Sequence, residues 1–271
     1  MRFSKAHAYG NDFLYVEQSS VGGGALDALA REMCDRHTGI GADGLIVYRA
    51  TTSGATMTLF NSDGSRAEVS GNGVRGLAAL LLRQDDREGA TVTIETEGGA
   101  KRLTRIAQSV PGTCLTPVFQ AAMGLPADIR QITLTAAGES VMAIALNFGN
   151  PQCVVLGALP ARPQFEALGA ALERHATFPA GTNVEFASVE APDTIRILIW
   201  ERGVGPTQSS GTGSCASLVA AASFGGARRE ATVIAPGGAQ HVEWRADNVY
   251  LTGAAEILFD GEWLRQIPRT G

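Results

Sequence analysis

A domain-sized internal repeat is the feature of this sequence that most constrains its fold. YGND at residues 9–12 is answered 139 residues later by FGNP at 148–151. The helical pattern LAREMCDRH from Leu29 returns at the same interval as LGAALERH from Leu168. One such match would be weak in a chain with 33 glycines. Several matches in the same order at nearly one interval predict two similar halves.

The repeat extends to a pair of serine turns. VSGNGVRG contains Ser70, and SSGTGSCAS contains Ser210, 140 residues later. An apolar strand pattern precedes each serine, and its final polar residue, Asn61 or Glu201, lies nine positions before that serine. The glycine-rich GIGADG is likewise answered by GTNVEF at an interval near 140. The two turns therefore occupy equivalent places in the two halves.

These patterns predict an α/β (α+β) fold built from two pseudo-symmetric domains. MTLF, VTIET, IRILIW and NVYLT are typical of strands, because they are β-branched or alternate between apolar and polar residues. GVRGLAALLLRQ and GSCASLVAAASF are apolar nearly all round, so each is predicted to be a helix buried inside its own domain. We expect the first domain over 1–115, the second over 116–258, and a return of 259–271 to the first.

Composition excludes several function classes. A net charge of -5 and a pI near 5.4 give no electrostatic reason to bind nucleic acid or an anionic membrane. The first residues lack the apolar core of a signal peptide, and no uncharged run approaches the ~20 residues that a bilayer requires. We therefore expect a cytoplasmic protein. The cysteines, which we interpret as reduced thiols without a metal or a disulfide framework, are Cys34, Cys114, Cys153 and Cys215.

The serine turns point to an anion as ligand. A turn that opens a helix presents backbone N–H groups without helical partners, and the glycines allow a ligand to approach closely. Neither turn has the Lys-Ser/Thr ending of a P-loop, and neither fits G-x-G-x-x-G, so nucleotide binding is not favoured. Taken alone, Ser70 or Ser210 is most simply a helix N-cap. Facing turns would instead place both hydroxyls on opposite sides of a bound carboxylate's α-carbon, as a racemase requires.

Six segments resemble the diaminopimelate epimerase family, in order and across nearly the whole chain: YGNDF, CDRHTGIGADGL, LFNSDGSRAEVSGNGVR, GNP, TNVEF and WERGVGPTQSSGTGSCA. The resemblance implies two pseudo-symmetric domains with a ligand cleft at their interface, no cofactor and no metal. It implies interconversion of LL- and meso-diaminopimelate, a small amino-acid substrate, for lysine and peptidoglycan synthesis. The oligomeric state stays open, with a homodimer as one alternative.

Carried over position by position, the resemblance makes Ser70 and Ser210 the catalytic acid–base pair. The substrate would be held at the helix termini by its reacting carboxylate and elsewhere by its ammonium groups and distal carboxylate. An arginine suits that last role, because its guanidinium fork matches a carboxylate. The positions are Gly71, Asn72, Gly211 and Thr212 for the reacting carboxylate, and Asn11, Asn61, Asn150, Asn183, Glu201 and Arg202 for the other groups.

The chain departs from the family pattern at the reacting groups. The resemblance implies cysteine at both catalytic positions, where this chain has serine, histidine where it has Gln152, and a further cysteine where it has Gly76. A thiol has a pKa of ~8.5, whereas the pKa of an alkyl hydroxyl resembles that of water and lies far higher, so the hydroxyl anion costs ~10 kcal/mol more to form. A helix dipole cannot supply that difference.

Three explanations of the serines stay open. An engineered cysteine-to-serine form would bind the amino acid without turnover. A diverged chain would either bind a ligand or catalyse another isomerisation with a different base. For a related isomerase with a carboxylate base, such as phenazine-biosynthesis isomerases of similar architecture use, the candidate acids are Glu68, two residues before Ser70, and Glu201.

Overall fold

The computed structural model describes residues 1–22, 24–67, 70–106 and 116–265. The chain divides into two compact units. The first consists of Met1–Ala121 and Ala254–Gly271, and the second of Ala122–Gly253.

The first unit opens with two antiparallel strands and then alternates strands with helices. A 3-10 turn, Gln18–Ser20, precedes its first helix. Its elements, in chain order, are β1 (Arg2–Ala8), β2 (Asn11–Glu17), α1 (Leu26–Cys34), β3 (Gly44–Thr51), β4 (Gly54–Asn61), β5 (Arg66–Ala67), α2 (Gly71–Leu81), β6 (Thr91–Thr96), β7 (Gly99–Ile106) and β8 (Val118–Ala122).

The second unit repeats this series, and the chain then returns to the first unit. The elements are β9 (Ala127–Ala136), β10 (Glu139–Asn147), β11 (Pro151–Leu156), α3 (Arg162–Glu173), β12 (Asn183–Ala191), β13 (Thr194–Glu201), β14 (Gly205–Thr207), α4 (Gly211–Phe224), β15 (Glu230–Ala235), β16 (Gly238–Trp244), β17 (Val249–Ala254) and finally β18 (Glu256–Glu262).

Strand pairing is the same in both units. The first unit runs in the order β18-β1-β2-β3-β4-β6-β7-β8, with β5 added beside β4. The second runs in the order β9-β10-β11-β12-β13-β15-β16-β17, with β14 added beside β13. Two neighbouring pairs in each unit are parallel, and each is connected through a helix, as a parallel crossover requires. The predicted α/β fold with two similar halves is confirmed.

The repeat holds at the level of register. Phe13 on β2 pairs with Gly44 on β3. The residues 139 positions later, Gln152 on β11 and Asn183 on β12, pair in the same way. Equivalent residues of the two halves can therefore be compared one to one.

In each unit one helix, α1 or α3, packs through one apolar face, whereas the other, α2 or α4, is buried along most of its length. In the second unit, Val184 and Phe186 of β12 pack in the same apolar cluster as Leu168 of α3. Successive side chains of a strand point to opposite faces, so Asn183 and Glu185 face away from α3. α4 is buried along most of its length, as its apolar sequence predicts. Among the described residues, none of the helices has the length and hydropathy needed to cross a bilayer.

Candidate functional site

Both predicted serines are helix N-caps with matching geometry. Ser70 precedes α2 with φ -127° and ψ 122°, and its Oγ accepts a hydrogen bond from the Gly73 amide at 3.1 Å. Ser210 precedes α4 with φ -138° and ψ 127°, and its Oγ accepts from the Gly213 amide at 3.2 Å. Ser210 is buried and Ser70 half-buried. The simple capping interpretation therefore holds for both serines, and each hydroxyl lies at the positive end of a helix dipole.

The first unit brings Asn11 and Asn72 together beside its serine turn. The amide of Asn72 donates to Asn11 Oδ1 at 3.2 Å, and Asn72 Oδ1 accepts from buried Arg75 at 3.3 Å. Asn11 itself donates to Asp43 at 2.7 Å. Asn61, at the end of β4, instead donates to Ser65 Oγ at 3.0 Å.

A buried ion cluster fixes the segment that carries Asn11. Asp12 is 8% exposed and lies 3.0 Å from the Lys5 ammonium and 2.7 Å from the Arg36 guanidinium. Burial alone would raise the pKa of Asp12, but hydrogen bonds from Arg36 and Lys5 hold it below its ordinary value. Asp12 and Asp43 also exchange backbone contacts, which join the YGND and GIGADG segments.

The second unit repeats the first unit's contact between equivalent residues. Asn150 donates to Thr212 Oγ1 at 3.5 Å, and these residues occupy the places of Asn11 and Asn72. Gln152, which stands where the family resemblance implies histidine, donates to Asn150 Oδ1 at 2.8 Å. It thereby orients Asn150, a predicted substrate-binding residue. The other amide atom, Gln152 Oε1, is buried without a hydrogen-bond partner among the described residues.

Asn183 and Arg202 form a second contact in this unit. The backbone amide of Arg202 donates to Asn183 Oδ1 at 3.0 Å, and Asn183 Nδ2 donates to the Pro151 carbonyl at 3.4 Å. The Arg202 guanidinium is exposed and donates to the Ala180 carbonyl at 3.3 Å. Glu201 is half-buried at the end of β13, next to Arg202.

The glycines inside the two turns are packed against different side chains. A Cβ on Gly73 would lie 2.8 Å from Ile46 Cδ1, whereas a Cβ on Gly213 would lie 2.6 Å from Glu185 Oε1. Ile46 and Glu185 are equivalent in the repeat, since Tyr15 pairs with Ile46 as Val154 pairs with Glu185. Gly71 and Gly211 are the first residues of the two helices, where they present their amides.

Glu185 is a chemically unusual residue that the sequence analysis did not select. Its side chain is fully buried, and neither carboxyl oxygen has a hydrogen-bond partner within the described part of the chain. Burial first, and then the charge of Glu201, raises the pKa of Glu185 well above its ordinary value. The available signal was alternation along TNVEF, which places the acid on the same strand face as Asn183.

The glycine at position 76 has a local cause. A Cβ there would lie 2.1 Å from the hydroxyl oxygen of Tyr15, which is buried and donates to the Gly73 carbonyl at 3.0 Å. Any side chain at Gly76, cysteine included, would collide with Tyr15. This departure from the family pattern is thus coupled to a neighbouring aromatic residue.

Two further sets of acidic residues lie apart from the contacts described above. Glu68, nominated as a base for Ser70, lies outside the described residues. Among those described, one group has the composition of a metal site: Glu230, His241 and Glu243, on β15 and β16. His241 Nε2 lies 3.3 Å from Glu230 and 3.4 Å from Glu243, and Arg245 donates to Glu243 at 2.7 Å.

The family to which this chain belongs follows from its similarity to known proteins. A family model described as diaminopimelate epimerase matches residues 3–109 and 144–258. The chain belongs to the diaminopimelate epimerase family. A diaminopimelate epimerase of Desulforudis audaxviator is 38% identical over 98% of this chain and 100% of its own length. One of Nostoc punctiforme is 36% identical over 97% and 99%.

Solved structures support the fold. A predicted epimerase from Pseudomonas aeruginosa superposes with a TM-score of 0.72 at 14% identity, covering 97% of this chain and 99% of that one. A PhzF-family phenazine biosynthesis protein of Bacillus anthracis gives a TM-score of 0.73 at 13% identity, covering 98% and 99%. At these identities the likeness concerns the fold alone. This fold therefore accommodates sequences that share few residues.

Proposed function

We propose that this protein interconverts LL- and meso-diaminopimelate by moving a proton between the two faces of one α-carbon. The observation that carries the proposal is the duplicated serine-capped helix, present with the same cap geometry in both halves of a diaminopimelate epimerase family member. Ser70 and Ser210 are the proposed acid–base pair. One removes the α-proton while the other supplies a proton to the opposite face.

The proposed substrate contacts divide into two sets. At the reacting end, the first-turn amides of α2 and α4 receive the carboxylate, since their N–H groups lack helical acceptors. Each helix end contributes ~0.3 to 2 kcal/mol per charge, depending on burial. Gly71, Asn72, Gly211 and Thr212 belong to this set; Asn11, Asn61, Asn150, Asn183, Glu201 and Arg202 bind the ammonium groups and the distal carboxylate.

A second candidate function is binding of the same amino acid without turnover. One observation favours it: the described contacts of Ser70 Oγ include the Gly73 amide but no carboxylate or imidazole. Without a neighbouring base, forming the anion of a hydroxyl costs ~10 kcal/mol more than forming a thiolate. Proton transfer at Ser70 would then be too slow to matter, while the carboxylate site would persist.

The cellular setting is proposed on the state of the cysteines. Cys34 and Cys153 are free and buried. Burial raises the pKa of Cys34 and of Cys153 to about 12, so neither is a reactive thiolate at neutral pH. Free thiols suit a reducing compartment, and we place the enzyme in the cytoplasm.

Exchange of the substrate α-hydrogen tests the main proposal. Purified protein is incubated with LL- or meso-diaminopimelate in deuterium oxide, and α-deuteration and epimerisation are followed by NMR and chiral chromatography. The Ser70→Cys/Ser210→Cys double variant is run in parallel, with Ser70→Ala/Ser210→Ala as a matched control. We expect slow exchange by the native chain, faster exchange by the cysteine variant and none by the alanine variant.

Calorimetric titration separates the two candidates. Binding of diaminopimelate with no exchange by the native chain, together with exchange by the cysteine variant, would establish the binding form. Absence of both binding and exchange in all three proteins would reject diaminopimelate as the substrate. Arg202→Ala checks the binding mode, since it should weaken affinity for diaminopimelate more than for a monocarboxylic amino acid.

A further inference from the structure

The buried carboxyl group of Glu185 lies directly beneath the Ser210 turn. A Cβ on Gly213 would lie 2.6 Å from Glu185 Oε1 and 3.1 Å from Ser210 Oγ. The two oxygens are therefore separated by no more than the sum of these distances. One bridging water, or a change of the Glu185 rotamer, connects atoms over such a range.

A fully buried carboxyl group with two unsatisfied oxygens is costly to the folded state. Burying a polar group without a hydrogen bond costs roughly 1 to 3 kcal/mol in proteins, and an unpaired charge costs more. Glu185 lacks a hydrogen-bond partner for either oxygen among the described residues. Such a cost without an apparent structural return is typical of functional sites.

Burial and the neighbouring charge of Glu201 both disfavour the ionised form of Glu185. Glu201 acts on it from β13, the antiparallel neighbour of β12, and like charge disfavours ionisation. Cys153, on the parallel neighbour β11, titrates far above neutrality, and its own pKa is raised further by Glu185. Gln152, also on β11, is uncharged. The N-terminal amides of α4, in contrast, favour the anion.

In the described part of the first unit, the position equivalent to Glu185 carries no carboxyl group. Its equivalent residue, Ile46, packs against Gly73 with a methyl group and cannot hold a proton. The two serine turns match in backbone geometry and differ in what lies beneath them. A carboxyl group therefore lies beneath the Ser210 turn at the place where a methyl group lies beneath the Ser70 turn.

We propose that Glu185 is a positioning residue that holds the proton which Ser210 exchanges with the substrate. The inference rests on the proposed function. As the Cα–H bond breaks, its electron pair stays on the α-carbon and its proton passes to Ser210 Oγ. The original Ser210 proton passes, directly or through one water, to Glu185 Oε1, which becomes a carboxylic acid. The reverse step returns a proton from Glu185 through Ser210 to the same face of the α-carbon.

This relay makes the ionisation of Glu185 part of the reaction in both directions. Deprotonation by Ser210 needs ionised Glu185, and protonation from Ser210 needs protonated Glu185. Because the equilibrium constant of epimerisation fixes the ratio of the two kcat/KM values, both pH profiles carry this ionisation and change in parallel. A merely structural acid would leave no such ionisation in either profile.

The test compares Glu185→Gln with Glu185→Asp and with Glu173→Gln. Glu173 is a matched control, since it is a buried glutamate of the same unit whose oxygens accept from Trp200 at 2.7 Å and from Gly203 at 2.8 Å. We expect Glu185→Gln to slow α-deuteration on the Ser210 face by about 10²- to 10⁴-fold, the usual contribution of general acid–base catalysis. Both pH profiles should flatten, Glu185→Asp should recover part of the rate, and Glu173→Gln should retain both profiles. Unchanged rates and profiles in Glu185→Gln would overturn the proposal.

Infrared spectroscopy gives a readout that does not depend on turnover. The difference spectrum between the native chain and Glu185→Gln reports the protonation of this one carboxyl group. We expect a carboxylic acid band at neutral pH whose titration midpoint moves in Ser210→Ala and stays unchanged in Ser70→Ala. Ionised Glu185 at neutral pH, or a midpoint that ignores Ser210→Ala, would refute the coupling. If no variant exchanges any substrate while the midpoint does move, the proposed function fails and the coupling stands.

Discussion

Replacing Gly76 with alanine tests whether the Tyr15 hydroxyl dictates this glycine. The new Cβ would lie 2.1 Å from the Tyr15 hydroxyl oxygen and 2.9 Å from Cζ, so the aromatic side chain or the helix must shift. Overpacking a core costs about 1 to 3 kcal/mol, and displacing the Tyr15 hydroxyl also weakens its hydrogen bond to Gly73, worth about 1 kcal/mol. Alanine returns about 1 kcal/mol of helix propensity. The net loss of unfolding free energy is therefore about 1 to 3 kcal/mol.

The second half of the chain supplies the compensating substitution. At the positions equivalent to Tyr15 and Gly76 it carries Val154 and Ala216, both fully buried. Tyr15→Val alone should cost about 2 to 4 kcal/mol through the cavity that it leaves. Combined with Gly76→Ala it should cost less than the sum of the two single changes, by about 1 to 3 kcal/mol.

Urea denaturation of the four proteins measures this cycle through the midpoints, provided that the slopes agree. Additivity within about 0.5 kcal/mol would refute the reasoning, because it would mean that Tyr15 and Gly76 do not share the same space. A stabilised Gly76→Ala single variant would refute it as well.

Three further predictions concern stability. Ser70→Ala and Ser210→Ala should each lower the unfolding free energy by about 1 kcal/mol, as loss of an N-cap does, and unchanged urea midpoints would contradict the capping role. For Glu185, whose pKa is raised on folding, the native state keeps a proton that the unfolded state loses, so its contribution to stability falls as pH rises from near 4.5 towards the folded pKa. Glu185→Gln should thus gain stability over the native chain by up to about 1.4 kcal/mol per pH unit in that window, measured by thermal melts at several pH values; a constant difference would contradict it. For Asp12, whose pKa is lowered, the contribution is present above pH 3.8 and fades as pH falls through the folded pKa, so the deficit of Asp12→Asn should shrink on acidification; a deficit independent of pH would exclude the ion cluster as its source.

The sequence predicted the fold because the duplication repeats its patterns at a constant interval. Strand pairing depends on those patterns and on the lengths of the segments between them, so the interval of 139 residues reappears in the register of Phe13 with Gly44 and Gln152 with Asn183. The two buried helices, α2 and α4, were predicted because their segments are apolar on nearly every side. The interval also makes Ser70 and Ser210 equivalent, which no single motif could have done.

What the sequence could not predict is which side chains contact the turns from below. Glu185 belongs to TNVEF, a segment that the sequence analysis used only for the family resemblance. Its significance depends on its burial and on its two carboxyl oxygens, which lack hydrogen-bond partners among the described residues. The sequence shows only that Gly76 stands where the family resemblance implies cysteine. The structure shows that the Tyr15 hydroxyl occupies the space of a side chain at this position. Both effects arise from packing between residues distant in sequence, and single-sequence patterns do not report such contacts.

The central claim is that the two serine turns act on opposite faces of one α-carbon. Single cysteine variants test it most directly, because a thiol accelerates proton abstraction on the face that it contacts. We expect Ser70→Cys to increase α-deuteration of one stereoisomer of diaminopimelate and Ser210→Cys to increase that of the other, with rapid epimerisation only when both are present. Acceleration of the same stereoisomer by both single variants would contradict the claim.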